Sequence, residues 1–262
     1  MNMSVQSYIN HKIPSQLSIH HVALLRPFNW LAQAWQDISH HPKTSLAHGL
    51  TISALLLVIL VLTSVNIYII AAAISGFMLI GPIMAAGLCE LSRRNESGES
   101  VSFDDSLAGL RHCQSSLNRF AGILLGFSVL WFLMSGLVLA LTIGDIAPPL
   151  DQTLWGDFLA LVTPLQLTLY IIVGGLLASI VFVVSVVSVP AIIENDIPPV
   201  DAMAISFKVV TSNLLTMLVW AALIVLLTAI GFATFLVGMI IIYPLLGHAT
   251  WHAYRDLIEK KV

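Results

Sequence analysis

Two long stretches without a charged side chain constrain this chain more than any other feature. Residues 44–89 and 209–254 each run for 46 residues without Asp, Glu, Lys or Arg. A helix needs about 20 apolar residues to cross a bilayer core about 30 Å thick. Each stretch is therefore long enough for two membrane passes joined by a tight turn, which we place at residues 63–66 in the first and near Gly231 in the second.

Two further apolar runs, at 120–144 and 158–193, each provide one more pass. The composition agrees, since 10% of the residues are charged and soluble domains carry about 25%. The sequence therefore predicts an all-α integral membrane protein with six transmembrane helices. We place these helices at about 45–63, 67–91, 119–143, 166–190, 210–230 and 232–254.

The positive charges predict how the chain is oriented. All 11 Lys and Arg residues fall in segments that six passes place on one side of the membrane. The segments on the other side carry only Asp145, Asp151 and Asp157 as charged residues. Because Lys and Arg accumulate in cytoplasmic loops, we expect a multi-pass protein of a bacterial inner (plasma) membrane with both termini cytoplasmic. The first forty residues have no apolar signal core, so no cleaved signal peptide is expected.

The chain divides into two predicted parts. Residues 1–43 form a cytoplasmic arm, and residues 44–257 form the six-pass membrane domain. Residues 1–25 lack clear periodicity and are expected to be loose, whereas an amphipathic helix is predicted over 27–40.

This first amphipathic helix is predicted to lie in the membrane interface. Its apolar face is read from residues at helical spacing, namely Phe28, Leu31, Trp35 and Ile38. Trp30 and Trp35 suit the headgroup region, where indole rings accumulate.

Two more short helices are predicted between the passes. Ser102 followed by Asp105 resembles a capping box, which predicts a helix that ends near Asn118. Pro199 opens another short helix that runs towards Asn213.

An internal repeat of three units accounts for these elements. Each unit reads as a short amphipathic helix, an outward pass and a return pass that contains a proline. The prolines are Pro82, Pro190 and Pro244. Small residues are expected to let the helices approach inside the lipid, among them Gly122, Gly126 and Gly174.

Three stretches resemble a bacterial family of predicted integral membrane proteins known as domain of unknown function 2189. They are Gly76–Glu99, Val184–Trp220 and Pro244–Arg255. The chain departs from the family pattern at Glu194–Asn195, where an Asp-Arg pair is usual, and after Asn213, where a Pro is usual. The resemblance implies a multi-pass inner-membrane protein without an established activity, and some relatives carry an oxidase-subunit label.

The residues do not support that label as a catalytic assignment. A haem-binding membrane core needs His pairs at two depths, and only His48 and His248 lie in or beside the apolar runs, both near the cytoplasmic face. An accessory role beside respiratory-complex components stays open. A coupled transporter usually keeps ionisable residues inside its spans, and none lies deep in these.

A metal site is predicted as one interpretation of the cytoplasmic-side residues. His248 and His252 are four apart and share a helical face. In the repeat, Glu194 aligns with His248 and Glu90 with His252, and Cys89 lies on the same side. Such ligands bind zinc or copper.

The alternative interpretation makes these side chains interfacial polar residues, with Trp251 and Tyr254 in an aromatic belt. We favour it because one His pair supplies only two ligands. No catalytic residue, cofactor or nucleic-acid partner is predicted, since hydrolase and phosphate-binding motifs are absent from the sequence. The sequence thus predicts a non-enzymatic scaffold or accessory protein that acts on the cytoplasmic face; the alternative is a metal-handling protein or transporter.

Overall fold

The computed structural model describes residues 17–62, 67–143 and 163–260, and these residues are almost entirely helical. The helices are α1 (Arg26–His40), α2 (Pro42–Leu62), α3 (Ile67–Leu79), α4 (Gly81–Met84), α5 (Ala86–Glu96), α6 (Phe103–Gly109), α7 (Gln114–Ile143), α8 (Pro164–Ser185), α9 (Ser188–Asn195), α10 (Pro199–Ser212), α11 (Leu214–Ala233) and α12 (Met239–Leu257). Two short strands, β1 (Leu17–Ile19) and β2 (Ile258–Lys260), pair antiparallel.

Four stretches are long and apolar enough to cross a membrane. They are Pro42–Leu62, Gln114–Val138, Pro164–Asn195 and Leu214–Ala233. These correspond to the first, third, fourth and fifth predicted passes, and they make the chain a membrane protein with several apolar helices. The predicted turn at 63–66 and the outer loop that carries Asp145, Asp151 and Asp157 lie outside the described residues.

The second and sixth predicted passes take a different form. α3 ends at Leu79 after 13 residues, and two short helices follow it. The chain turns at 234–238, past the turn predicted near Gly231, and α12 then carries a polar C-terminal half. Neither stretch is a long apolar helix, because a helix break shortens the one and polar residues dilute the other.

The short helices between the spans follow their predicted start signals. The Asp105 backbone N–H donates to Ser102 Oγ at 3.1 Å, so Ser102 caps α6. α6 ends at Gly109 rather than near Asn118, because the chain turns before α7 begins at Gln114. α10 begins at Pro199 as predicted.

The fold divides into two compact units: unit 1 contains residues 1–53, 82–120 and 182–262, and unit 2 contains 54–81 and 121–181. Within unit 2, Trp131 organises the packing. Its indole N–H donates to Ser75 Oγ, and its ring packs edge-on against Tyr170.

Glycine explains how closely the helices of unit 2 approach. A Cβ at Gly174 would lie 2.9 Å from the Trp131 ring, so the small residue is required there. At Gly122 and Gly126 a Cβ would meet no described atom within 4 Å. The expected close packing therefore holds for Gly174, and the other two face open space in this part of the chain.

In unit 1, the helices that follow or contain the three prolines pack directly against one another. α5, α9 and α12 are in mutual contact. Gly247 of α12 lies against Leu88 of α5, and the Cys89 thiol donates to the Gly247 carbonyl at 3.6 Å. The helix ends therefore form a filled core.

Each short amphipathic helix packs on one of these three: α1 on α12, α6 on α5, and α10 on α9. The segment before α1 is also attached, which corrects the expectation of a loose arm for its described residues. Asn213 accepts the Val22 N–H at 3.0 Å and donates to the His20 carbonyl at 3.0 Å. These partners are distant in sequence, so no local pattern reveals them.

The buried face of α1 differs from the predicted one. Trp30 and Ala34 are fully buried, and Trp30 packs edge-on against Trp220 with ring centroids 5.7 Å apart. Phe28 and Trp35 are half exposed. The assignment of Trp30 to the headgroup region is therefore wrong, because α12 and α11 cover that side of the helix.

Candidate functional site: a buried polar cluster on helix α12

Asp37 lies at the centre of a polar cluster between α1, α5 and α12, which we call the Asp37 cluster. The carboxylate is 8% exposed, and burying a charge is costly unless it is paired and hydrogen-bonded. Its Oδ2 lies 2.9 Å from His252 Nε2 and accepts from Ser92 Oγ at 2.6 Å. Its Oδ1 accepts from Asn95 Nδ2 at 2.8 Å. Both oxygens thus have partners.

His248 joins the same cluster and is 2% exposed. Its Nδ1 lies 2.7 Å from Ser92 Oγ, and its Nε2 lies 3.0 Å from Ser45 Oγ. Ser92 uses its only proton on Asp37, so it must accept from His248 Nδ1–H. The neutral imidazole then accepts the Ser45 proton at Nε2, and this assignment of the tautomer follows from the network.

The surroundings of Asp37 set its protonation state. Burial by itself raises the pKa of Asp37, but hydrogen bonds from His252 and Ser92, with the charges of His248 and His252, lower it below its usual value. The carboxylate therefore stays ionised at neutral pH. It serves as a fixed acceptor that holds three helices together.

A second anchor holds α1 on α12 one turn beyond His252. Asp256 accepts from Arg26 Nη2 at 3.0 Å and from Trp30 Nε1 at 2.7 Å. Burial raises the pKa of Asp256, and the bonds from Arg26 and Trp30 outweigh that and lower it. Like Asp37, this carboxylate stays ionised and ties the first helix to the last.

The structure separates the residues predicted as metal ligands. His248 and His252 share Asp37, whereas Glu90 is fully buried between Arg93 and Arg94, with N–O distances of 2.8 to 2.9 Å.

The two remaining candidates also have other partners. Glu194 lies 4.0 Å from Arg255, and Cys89 contacts the Gly247 carbonyl. Within the described ranges, no three His, Cys, Asp or Glu side chains are grouped so that they could hold a metal ion. The five candidates therefore do not converge.

The sequence analysis missed Asp37, which is the residue that connects the two histidines. It counted Asp37 with the polar side of α1. The positions buried with it, Trp30, Ala34 and Ile38, follow helical spacing, so a second reading of the helix with Trp30 inside would have placed Asp37 inwards.

Trp251 and Tyr254 do not form an aromatic belt. They are 1% and 2% exposed, and their polar atoms have protein partners. Trp251 Nε1 donates to Glu96 at 3.1 Å, and Asn195 Nδ2 donates to the Tyr254 hydroxyl at 2.8 Å. Both rings belong to the packed interior of unit 1.

A family model described as a predicted integral membrane protein, domain of unknown function 2189, matches residues 69–194. No curated protein and no solved structure matches the chain.

Proposed function

The chain belongs, over residues 69–194, to the family of predicted integral membrane proteins with domain of unknown function 2189, and we propose that it is a non-enzymatic scaffold or accessory protein acting at the cytoplasmic face of a bacterial inner membrane. One observation carries this proposal. The buried ionisable side chains Asp37, Glu90 and His248 all bind neighbouring helices. They hold the fold together and leave no free acid, base or nucleophile among them.

The pairing of β1 with β2 supports an even number of membrane passes. Hydrogen-bonded segments must lie on the same side of the membrane, and β1 and β2 flank all the helices. Six passes satisfy this condition. The one-sided Lys and Arg residues then favour the cytoplasm for that side.

The way the short helices pack supports the three-unit repeat. α6 and α10 each cover the proline-associated helix of the preceding unit, and α1 covers that of the last unit. Such an order closes the three units into a ring.

Equivalent residues also meet. His252 and Glu90 lie eight positions after Pro244 and Pro82, and they face Asp37 and Gly109 of the covering helices. Asp37 and Gly109 both lie near the end of a short helix, shortly before a span begins.

The outer side of α1 provides a surface for association. Leu24, Leu25, Phe28 and Trp35 are each about half exposed or more. Apolar side chains at such spacing suit the membrane interface or another membrane protein, and respiratory-complex components are candidate partners. Because the opposite side of α1 is bound to α12, this surface is held in a fixed position.

Crosslinking in native membranes tests the proposal. We expect the wild-type protein to co-purify with a defined membrane partner, and the double change Phe28→Ser and Trp35→Ser to abolish this without lowering thermal stability. The matched control is Asn29→Ser with Gln36→Ser, two exposed polar residues of the same helix. An unchanged set of partners in the apolar-face variant would contradict a role for this surface.

A metal-handling protein or transporter is the second candidate, because His248, His252 and Asp37 meet on one side of α12. Two imidazoles and a carboxylate are ligands that zinc accepts. The Ser92 hydroxyl bridges Asp37 and His248, so these groups have partners without a metal ion. Metal content separates the two candidates.

A further inference from the structure

An open groove of about 600 Å³ runs between α4, α5, α6 and α7 within unit 1. Its size falls in the range of small-ligand sites. Its walls are largely apolar and include Ile83, Leu107, Leu110 and Leu117. The groove is separate from the Asp37 cluster and shares no residue with it.

The polar residues of the groove carry opposite charges. Asp104 and Arg111 both line it, together with the amides of Gln114 and Asn118. No ion pair is formed by Asp104 or Arg111 within the described residues, although both are exposed. One carboxylate and one guanidinium, each without a charged partner in this part of the chain, can therefore accept a ligand that carries both signs.

The groove lies where a membrane span begins. Gln114 and Asn118 belong to the first turns of α7, whose stretch Gln114–Val138 is long and apolar enough to span. Headgroups lie at this level, and acyl chains lie beside the following turns. A ligand in this groove would have its polar part at Arg111 and its apolar part along the leucines.

We propose that this groove binds a zwitterionic aminophospholipid of the phosphatidylethanolamine class. Arg111 pairs with the lipid phosphate, since guanidinium and phosphate form charge-assisted hydrogen bonds. Asp104 accepts from the primary ammonium group. The apolar walls hold the upper part of an acyl chain. The proposal deepens the scaffold function, because it rests on the same membrane placement and names a lipid partner.

The charges distinguish this lipid from the other phospholipids. An anionic glycerol headgroup would satisfy Arg111 but meet repulsion at Asp104. A quaternary choline headgroup has no N–H to donate to Asp104. Recognition of both ends therefore favours the primary amine.

The test is native mass spectrometry of the purified full-length protein with equal amounts of phosphatidylethanolamine, phosphatidylglycerol and phosphatidylcholine. We expect phosphatidylethanolamine to be retained about tenfold more than the other two, because a hydrogen bond to a charged group is worth at least that factor. Asp104→Asn should abolish the preference, and Arg111→Gln should lower retention of all three lipids. Arg119→Gln, another exposed arginine of α7 that lies outside the groove lining, is the matched control and should behave like the wild type.

Equal retention of the three lipids by the wild type, or a preference for phosphatidylglycerol, would overturn the proposal. Retention by Arg111→Gln at the wild-type level would do the same. The crosslinking experiment depends on Phe28 and Trp35, which do not line the groove. A failure of lipid selectivity with partner capture intact would thus reject the lipid site alone.

Discussion

His252 and Asp37 are separated by 215 positions in the sequence, yet His252 Nε2 lies 2.9 Å from Asp37 Oδ2. This contact joins the first helix of the described chain to the last. Around it, Ser92, Asn95 and His248 complete a cluster in which each member has a partner. The first four predictions below concern this cluster and the packing of unit 1.

Replacing Asp37 by Asn should destabilise the protein. The change removes the charge that His252, Ser92 and Asn95 surround, and the Asn95 donor then faces an amide. We expect a loss of about 2 kcal/mol, which corresponds to a fall of about 4–8 °C in the melting temperature. Thermal unfolding in mild detergent measures it, and the exposed neighbour Gln36→Ala is the control. Equal melting temperatures for Asp37→Asn and the control would remove the cluster from the account of stability.

Acid should remove the advantage that Asp37 confers. The pKa of Asp37 is lowered in the folded protein by its hydrogen bonds to His252 and Ser92, so its stabilisation is present above the unfolded pKa of about 3.9 and is lost as pH falls through the folded pKa. The gap in melting temperature between the wild type and Asp37→Asn should stay constant from pH 7 to about pH 5 and shrink below about pH 4. A gap that persists at pH 3 would contradict this linkage.

Wild-type protein purified under mild conditions should contain no stoichiometric metal. The double change His248→Ala and His252→Ala should still lower its stability, because His248 is buried between Ser45 and Ser92. Elemental analysis measures the metal, and Cys89→Ser is the control outside the cluster. Zinc or copper that is present in the wild type and lost from both the double variant and Asp37→Asn would make metal handling the leading function.

Gly109→Ala should destabilise unit 1. A Cβ there would overlap the carboxylate of Glu90, which Arg93 and Arg94 hold in place. Overpacking of this kind costs about 1–3 kcal/mol. Gly122→Ala is the matched control, since a Cβ at that position meets no described atom within 4 Å. If both changes lowered the melting temperature equally, the close approach of α6 to Glu90 would not be what requires glycine.

The topology is tested by reporters that are active only outside the cytoplasm. A fusion after Asp151 should be active and a fusion after Ser97 inactive, because the Lys and Arg residues flank Ser97 and are absent around Asp151. The reverse pattern would exclude both termini being cytoplasmic.

Local features of the sequence predicted much of this fold. Four of the six predicted passes appear as long apolar helices, because hydrophobicity over about 20 residues decides whether a helix can cross lipid. The start of α6 at Ser102 follows from a cap that needs only neighbouring residues. The resemblance to the family is likewise carried by short runs of residues, and the match over residues 69–194 confirms it.

Only the tertiary structure decided which polar residues meet. The predicted ligands His252 and Glu90 have different partners, Asp37 in one case and Arg93 with Arg94 in the other. Trp30 and the segment of β1 were expected at the surface, and they are bound by α11, α12 and β2. A sequence pattern shows the period of a helix and its mean polarity. Which side is covered, and which buried donor finds which acceptor, depends on segments far away in the chain, because a buried charge is stable only where the fold brings a partner to it.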